Sequence, residues 1–542
     1  MTDITRRGFI KGAAAFAPLA VTPLRLPEQG APSERFDFVI AGAGHNSLVC
    51  AAYLAKAGYK ILVLEGRPTI GGGCKTAEVC LPGFKEDLCS SAHGAIRSNP
   101  LIRDNELNLR DYGYGEYIDS DPVMHIPFLD GPSISIWRDL DRTCEEIGRI
   151  SKKDAQTFRR LVVQYKAYEE SAAGGGANAP RSGLWRQRFA MSGYDLTCEF
   201  FESDHVRAGT LACGHFGGEP GGDIGTGNQA FSLVTQVLHG RAVPKGGSGT
   251  LSVSLGRFIE AHNGVVLTNK PVAQFIIEGR KCAGVECADG SLYRAEKAVV
   301  STIHVKHLVK MAPRDLWGQE FLDEVELFQP EHAMFQFHYA TTEPPKYPLG
   351  TGGTISTCEA VLLQSPERAL RLGYDNDRGE VNLDDPLLQI VSPSVVDPTR
   401  APAGMHTVKI EGTLPYALKE GPQQWDKIKE QVAATLFNYL ARFAPNLTPD
   451  KILAKFLESP LDIERMNPAM WRGSAHHGDR RLPQFASYKL PIPGLYQTGA
   501  CTPPGGSISG MPGRNAAAAI LKDNGTTIER VVGKDFSSSK KS

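Results

Sequence analysis

Hydrophobic and polar positions change rhythm sharply near the start of the chain. Residues 36–41 (FDFVIA) are an almost unbroken apolar run, the pattern of a strand buried on both faces. Gly42-Ala43-Gly44 interrupts the run, and over 47–57 apolar residues recur at helical spacing. Gly58 closes that helix, and 60–64 returns to a short apolar run that ends in Glu65. Strand, glycine turn, helix, strand and acid in this order predict a βαβ unit. Further on, Gly246-Gly247-Ser248-Gly249 opens a predicted helix over 251–261, and His262-Asn263-Gly264 ends it. Strands are predicted over 265–268, 272–278, 283–288, 292–295 and 298–301. Turns at Glu278-Gly279 and Asp289-Gly290 suit antiparallel hairpins there. Near the C-terminus, 495–498 predicts a short strand, Gly499-Ala500 a turn leaving it, and 515–521 a helix. Phe335, Phe337 and Tyr339 alternate at strand spacing. With Trp137 and Trp185 they either line an apolar pocket or face a core. Residues 172–183 (AAGGGANAPRSG) read as a surface loop.

The first βαβ unit carries chemistry as well as structure. Gly42 permits a tight turn, and Gly44 lets the backbone approach a pyrophosphate. The helix that follows offers unpaired N–H groups and the positive end of its dipole to that anion. Glu65, 23 positions after Gly42, stands where a carboxylate accepts hydrogen bonds from a ribose hydroxyl. Ser47 replaces the third glycine of the G-x-G-x-x-G pattern, a mild change because that position serves close helix–strand packing. An adenine dinucleotide is the expected ligand.

Glu65-Gly66-Arg67-Pro68 followed by Gly71-Gly72-Gly73 resembles the extended fingerprint of FAD-binding proteins of the glutathione-reductase type, in the branch of amine oxidases and phytoene desaturases. By that resemblance Arg67, Gly72 and Gly73 lie along FAD, and the Val272 backbone meets the adenine. The segments Gly473-Ser474-Ala475-His476-His477-Gly478-Asp479, 491–500 and 503–517 strengthen the likeness. Together they resemble the phytoene desaturase-like group that includes the pyridine nucleotide-disulfide oxidoreductase domain-containing protein 2 relatives and the carotene ketolases. The likeness covers about 36–105, 240–310 and 465–525. It implies an α/β fold, with a Rossmann-like FAD-binding domain of glutathione-reductase type and an inserted mixed α+β substrate domain. The expected cofactor contacts are Gly42, Gly44, Ser47, Glu65, Arg67, Gly72, Gly73, Val272, Gly499, Ala500, Gly510 and Met511. Two departures stand out: Gly499-Ala500 where many relatives have Gly-Asp, and Ser507 where relatives often have glycine.

Length and composition set limits without changing this picture. At 542 residues and a net charge of −1, the chain has room for two or three domains and no broad field that favours nucleic acid. Its 11 cysteines show no zinc or disulfide spacing; the nearest pair, Cys282 and Cys287, falls in a predicted hairpin. No metal site is expected, and Glu202, Asp204 and His205 read as a solvated acidic loop. The leader contains Thr5-Arg6-Arg7-Gly8-Phe9-Ile10-Lys11, which resembles a twin-arginine export signal, and a mildly apolar stretch broken by Pro18 and Pro23 follows. Periplasmic location is expected, with the cytoplasm as the alternative. The expected organisation is 1–34 as signal and linker, and 35–105, 225–310 and 460–530 as a discontinuous FAD domain. The remainder divides into 106–224 and 311–459 as substrate or cap domain and 531–542 as a disordered tail.

The expected activity is that of an FAD-dependent oxidoreductase, a dehydrogenase, desaturase or oxidase. It would transfer hydride from a hydrophobic, isoprenoid or aromatic substrate to flavin N5. Oxygen, a quinone or a protein would accept the electrons, and peripheral membrane contact and oligomeric state stay open. His477 is the candidate base, because imidazole titrates in a useful range and the resemblance places a histidine there; a structural role is the alternative. His45, inside the phosphate loop, is expected to matter through its backbone. Other readings are a flavin-dependent polyene isomerase, an amine oxidase, or a flavin-binding protein without catalysis.

Overall fold

The computed structural model describes residues 35–175, 183–215, 220–330, 332–475 and 487–533. The apolar run near residue 36 becomes the strand Arg35–Ala41, inside a seven-stranded sheet among the described residues. It pairs in parallel with Ile61–Leu64 on one side and Leu292–Ser301 on the other. Val265–Leu267 extends the parallel set past Ile61–Leu64, and Leu495–Gln497 joins Leu292–Ser301 in parallel. The other edge is an antiparallel meander through Lys281–Cys287 and Val272–Glu278.

These strands need to be apolar on both sides because both sheet faces are covered. Phe38, Ile40, Ile61, Val63 and Val300 pack with the helices His45–Lys56, Gly249–Ala261 and Met511–Asp523. Val39, Leu62, Leu64 and Val299 pack with Phe275, Trp317 and Phe321 on the opposite face. Two details depart from the sequence reading. The predicted strands 292–295 and 298–301 are one strand, with the exposed pair Glu296-Lys297 taken up by a register shift opposite Phe36 and Phe38. The first and last helices also start earlier than their apolar periodicity suggests. Gly513 lies inside the last one, where a Cβ would sit 2.0 Å from the Asn46 carbonyl, so a glycine that reads as loop is a helix–helix contact.

The second sheet runs in the order Ile452–Glu458, Met334–Thr341, His406–Thr413, Leu388–Val391, Glu359–Leu362, Met124–Pro127 and Ser133–Ile136. Its pairs are antiparallel except for the single bridge between Glu359–Leu362 and Met124–Pro127. One face is apolar: Phe335, Phe337, Tyr339, Ile390 and Ile410 pack against the helix Trp425–Phe443. The alternating aromatics therefore build a core. Trp185 is likewise in a core, and Trp137 lies under the Arg142 guanidinium. The opposite face is polar and still buried, carrying Gln336, His338, Glu359, Gln389, Lys409 and Glu411.

Other expectations fall out differently. Residues 172–175 belong to the helix Lys152–Gly175 rather than to a loop, and 176–182 lie outside the described residues. Glu202, Asp204 and His205 turn to separate partners: Lys153, Arg207 and Asp130. Cys282 and Cys287 are free thiols on one strand. The twin-arginine-like leader lies outside the described residues, as does the tail from 534, while the helix Ile528–Val531 enters the expected tail.

A short hairpin, Cys74–Ala77 with Glu86–Cys89, joins the two sheets. Asp87 accepts from the Ser248 N–H at 2.8 Å and from the Thr76 hydroxyl at 2.7 Å, and forms a 2.9 Å ion pair with Arg400. Arg400 also donates to the Lys85 carbonyl at 2.9 Å. On the sheet side, Glu86 meets His338 at 3.3 Å, and the Cys89 N–H donates to Gln336 at 2.7 Å. The Asp87 and Arg400 side chains are 1% and 0% exposed. Breaking a pair this deep strands a charge away from water. Arg400→Leu is expected to lower unfolding free energy by about 3–5 kcal/mol, read from the urea midpoint at constant m-value.

Candidate functional site

Between the carboxyl ends of the parallel strands and the polar face of the second sheet lies a cavity of about 1400 Å³. Its floor is made where strands stop. Gly42 has φ +99°, and a Cβ there would lie 2.5 Å from Thr302 Cγ2. Gly499 has φ +97°, and its Cβ would lie 2.4 Å from Thr302 Oγ1. Both positions demand glycine twice over, for conformation and for space. Gly42, Gly44, Gly499 and Ala500 border the cavity, and the helix His45–Lys56 begins directly after the extended Gly44.

The second glycine cluster folds back on the first. The Gly71 N–H donates to the Ala43 carbonyl at 2.7 Å, and a Cβ on Gly72 would approach Gly44 Cα to 3.2 Å. Gly73 faces Met470, whose Cε stands 2.4 Å from where a Cβ would be. Glu65 ties this floor together: one oxygen accepts from the Ala43 N–H and the other from the Arg67 N–H, each at 2.9 Å. Arg67 donates to the Arg465 carbonyl at 2.8 Å. Glu65, Arg67, Gly72, Gly73 and Val272 all border the cavity.

Three expected contacts sit elsewhere. The Ser47 hydroxyl is buried behind the turn, 2.6 Å from the Gly42 carbonyl and 2.9 Å from that of Gly44, and so braces the loop from inside. Gly510 and Met511 form the start of the last helix, away from the cavity wall; Gly506, Ser507 and Ile508 border it instead. Ser507 takes the left-handed conformation, φ +83°, consistent with a position where relatives carry glycine. His477 lies outside the described residues, although Ala475, the last described residue before it, borders the cavity.

Polar atoms are left waiting beside this floor. His45 Nε2, Asn46 Oδ1 and Ser91 Oγ are buried without a hydrogen-bond partner among the described residues, and all three residues border the cavity. Burial pushes the His45 imidazole down to about 4, against the pull of the Ser507 carbonyl, so the ring is neutral at pH 7. Burial also pushes the Cys501 thiol, on the same wall, up to about 12, which leaves it protonated. Glycine crowding, a helix N-terminus and unpartnered buried groups together fit a polar dinucleotide. His45 and Asn46 were passed over in the sequence because their backbone alone seemed engaged. Thr302 left a usable signal: it follows its strand as Gly42 and Gly499 follow theirs.

The remaining wall comes from the second sheet and the helices beside it. Gln389, Glu411 and Thr413 border it, with Arg241, His215 and His332. Gln389 donates to Glu359 at 2.5 Å, and Glu359 is ion-paired with Arg241. Burial pushes the Glu359 carboxyl up to about 7, partly offset by Arg241. Burial pushes the His215 imidazole down to about 3; it contacts the Thr413 hydroxyl at 2.8 Å. These groups sit on strands and helices whose alternating polar positions read as solvent-facing, so the sequence offered no pointer to them.

Comparison with known proteins agrees with this arrangement. Residues 40–104 match the NAD(P)-binding Rossmann-like domain model, and 178–355 match the flavin containing amine oxidoreductase model. The chain is 25% identical to pyridine nucleotide-disulfide oxidoreductase domain-containing protein 2 of Rattus norvegicus, over 91% of this chain and 94% of that protein. It is 28% identical to a limonene dehydrogenase polypeptide of Castellaniella defragrans, over 91% and 95%. It is 22% identical to the lycopene-forming phytoene desaturase of Pseudescherichia vulneris, over 89% and 98%. Among solved structures, an oxidoreductase from Methanosarcina mazei shares the fold with TM-score 0.60 and 17% identity, over 91% of this chain and all of that one. Putrescine oxidase does so with TM-score 0.60 and 13% identity, again over 91% and 100%. The chain is therefore an FAD-dependent oxidoreductase of the flavin-containing amine oxidase and phytoene desaturase group.

Proposed function

We propose that this oxidoreductase dehydrogenates or oxidises a small, largely hydrophobic organic molecule in the part of the cavity beyond Gly73. The observation that carries this reading is the continuity of the cavity. One space runs from the glycine floor, past Gly73 and Met470, to the second-sheet wall. FAD, when bound, supplies the hydride acceptor. The chain's own residues do the rest. Gly42, Gly44 and the helix His45–Lys56 offer a backbone surface and unpaired N–H groups for the pyrophosphate. Leu238, Met334, Met466 and Met470 offer apolar, adaptable surface to the substrate body and exclude water from it. Relatives named for limonene and phytoene support a hydrophobic substrate.

The twin-arginine-like leader supports export of the folded, loaded enzyme to the periplasm. There oxygen, a quinone or a protein would take the electrons. No helix among the described residues is long and apolar enough to cross a membrane, which leaves peripheral contact as the route to a quinone.

Three outcomes are expected. The purified protein shows flavin absorption, and anaerobic titration with terpenoid, aromatic and amine compounds bleaches it with one hydrophobic class. A protein that neither holds flavin nor takes up added FAD sinks the reading. Gly499→Ala drives a Cβ into Thr302 and weakens FAD binding at least about tenfold by fluorescence titration. Adding Thr302→Ala recovers the steric share of that loss. Finally, Arg6→Lys with Arg7→Lys retains the protein in the cytoplasm, as read by fractionation; unchanged distribution rejects export by this route.

A further inference from the structure

The second-sheet wall is polar for a structural reason. Phe335, Ile390 and Ile410 face the helix Trp425–Phe443, so residues at the alternate positions turn to the cavity side. Gln389 and Glu411 are direct cross-strand partners there, 3% and 8% exposed, and both border the cavity. Lys409 Nζ lies 2.6 Å from Glu411 and donates to the Cys89 carbonyl at 2.7 Å. Two residues past Cys89, Ser91 is 7% exposed, borders the cavity, and has no hydrogen-bond partner for its hydroxyl among the described residues.

A bare hydrocarbon against this corner would strip water from the Glu411–Lys409 pair and leave the Ser91 hydroxyl unpaired, both unfavourable. A charged group gains little either, because Lys409 and Arg241 stand against Glu411 and Glu359. A neutral hydroxyl both donates and accepts, and so suits a carboxylate beside an unpaired hydroxyl.

We propose that this corner is a head-group site: it takes the hydroxyl of an otherwise apolar substrate, which donates to Glu411 and accepts from Ser91. The inference rests on the FAD-dependent reading above and narrows its substrate to alcohols with a hydrophobic body. The test uses the flavin-loaded full chain and three probes of one shape: cyclohexylmethanol, methylcyclohexane and cyclohexylmethylamine. Binding is read by flavin difference spectroscopy and, independently, by equilibrium dialysis. The alcohol is expected to bind about tenfold tighter than the hydrocarbon and the amine. Ser91→Ala is expected to remove most of that preference while leaving hydrocarbon affinity and the flavin spectrum unchanged. Glu411→Gln, which keeps an acceptor oxygen, should retain part of it. Equal affinity for alcohol and hydrocarbon, tighter binding of the amine, no binding of the alcohol, or a preference untouched by Ser91→Ala each overturns the proposal with flavin still in place. Loss of the flavin band from the unmodified chain instead overturns the reading beneath it.

Discussion

Gly42, Thr302 and Gly499 leave adjacent strands at the same level, and they crowd one another so closely that two of the three tolerate only hydrogen as a side chain. That crowding is the constraint on which the molecule turns. It keeps the carboxyl ends of the parallel strands free of side chains and lets a ligand's phosphates approach the main chain. It also sets where the helix His45–Lys56 begins, because the chain must turn at Gly42 and leave Gly44 extended. The Ser47 hydroxyl and Glu65 carboxylate then fasten the turn from two sides. The floor is thus preformed by packing and hydrogen bonds within the chain, which lowers the ordering cost of binding.

The hairpin Cys74–Ala77 with Glu86–Cys89 carries this constraint across to the second sheet. Its links are charged and almost fully buried: Asp87 with Arg400, Glu86 with His338, and Lys409 with the Cys89 carbonyl. Such groups add little net stability over an apolar interface, since desolvation opposes their attraction. Their directionality matters more. Apolar surfaces slide, whereas a guanidinium bound to both a carboxylate and a carbonyl has one seat. The distance between the glycine floor and the second-sheet wall is held by these contacts, so the cavity keeps one width.

How much of this was legible follows from which forces leave a trace in sequence. The first βαβ unit was plain because a parallel strand covered on both faces must be continuously apolar, and its turn must be glycine. The helix starts were blurred because Gly513 serves close packing inside a helix, where glycine ordinarily signals its end. Phe335, Phe337 and Tyr339 had two readings because alternation reveals a face and says nothing of what covers it; the helix Trp425–Phe443 decides the matter. Gln389 and Glu411 were invisible for the complementary reason. A polar residue at every second strand position normally meets water, and here it meets a cavity closed by the other sheet. Thr302 was recoverable only by comparing three strand ends with one another.

These two walls are constrained by different means, and that difference bears on how one fold serves several chemistries. The glycine floor is defined by main chain and by the absence of side chains, so most substitutions there are excluded by backbone clash or strain. The second-sheet wall is defined by side chains on rigid strands, where Gln389, Glu411 and Thr413 can change identity without moving the backbone. Relatives named for a hydrocarbon and a structural neighbour named for an amine span nearly the whole chain at 28% identity or less. A shared floor with a variable wall accounts for that combination: cofactor chemistry is retained while the group presented to it is chosen afresh. In this chain the choice is a balanced pair of cations and carboxylates beside a free hydroxyl. A wall of that composition selects by hydrogen bonding, which discriminates more steeply than apolar fit because a missing partner leaves buried groups unpaired.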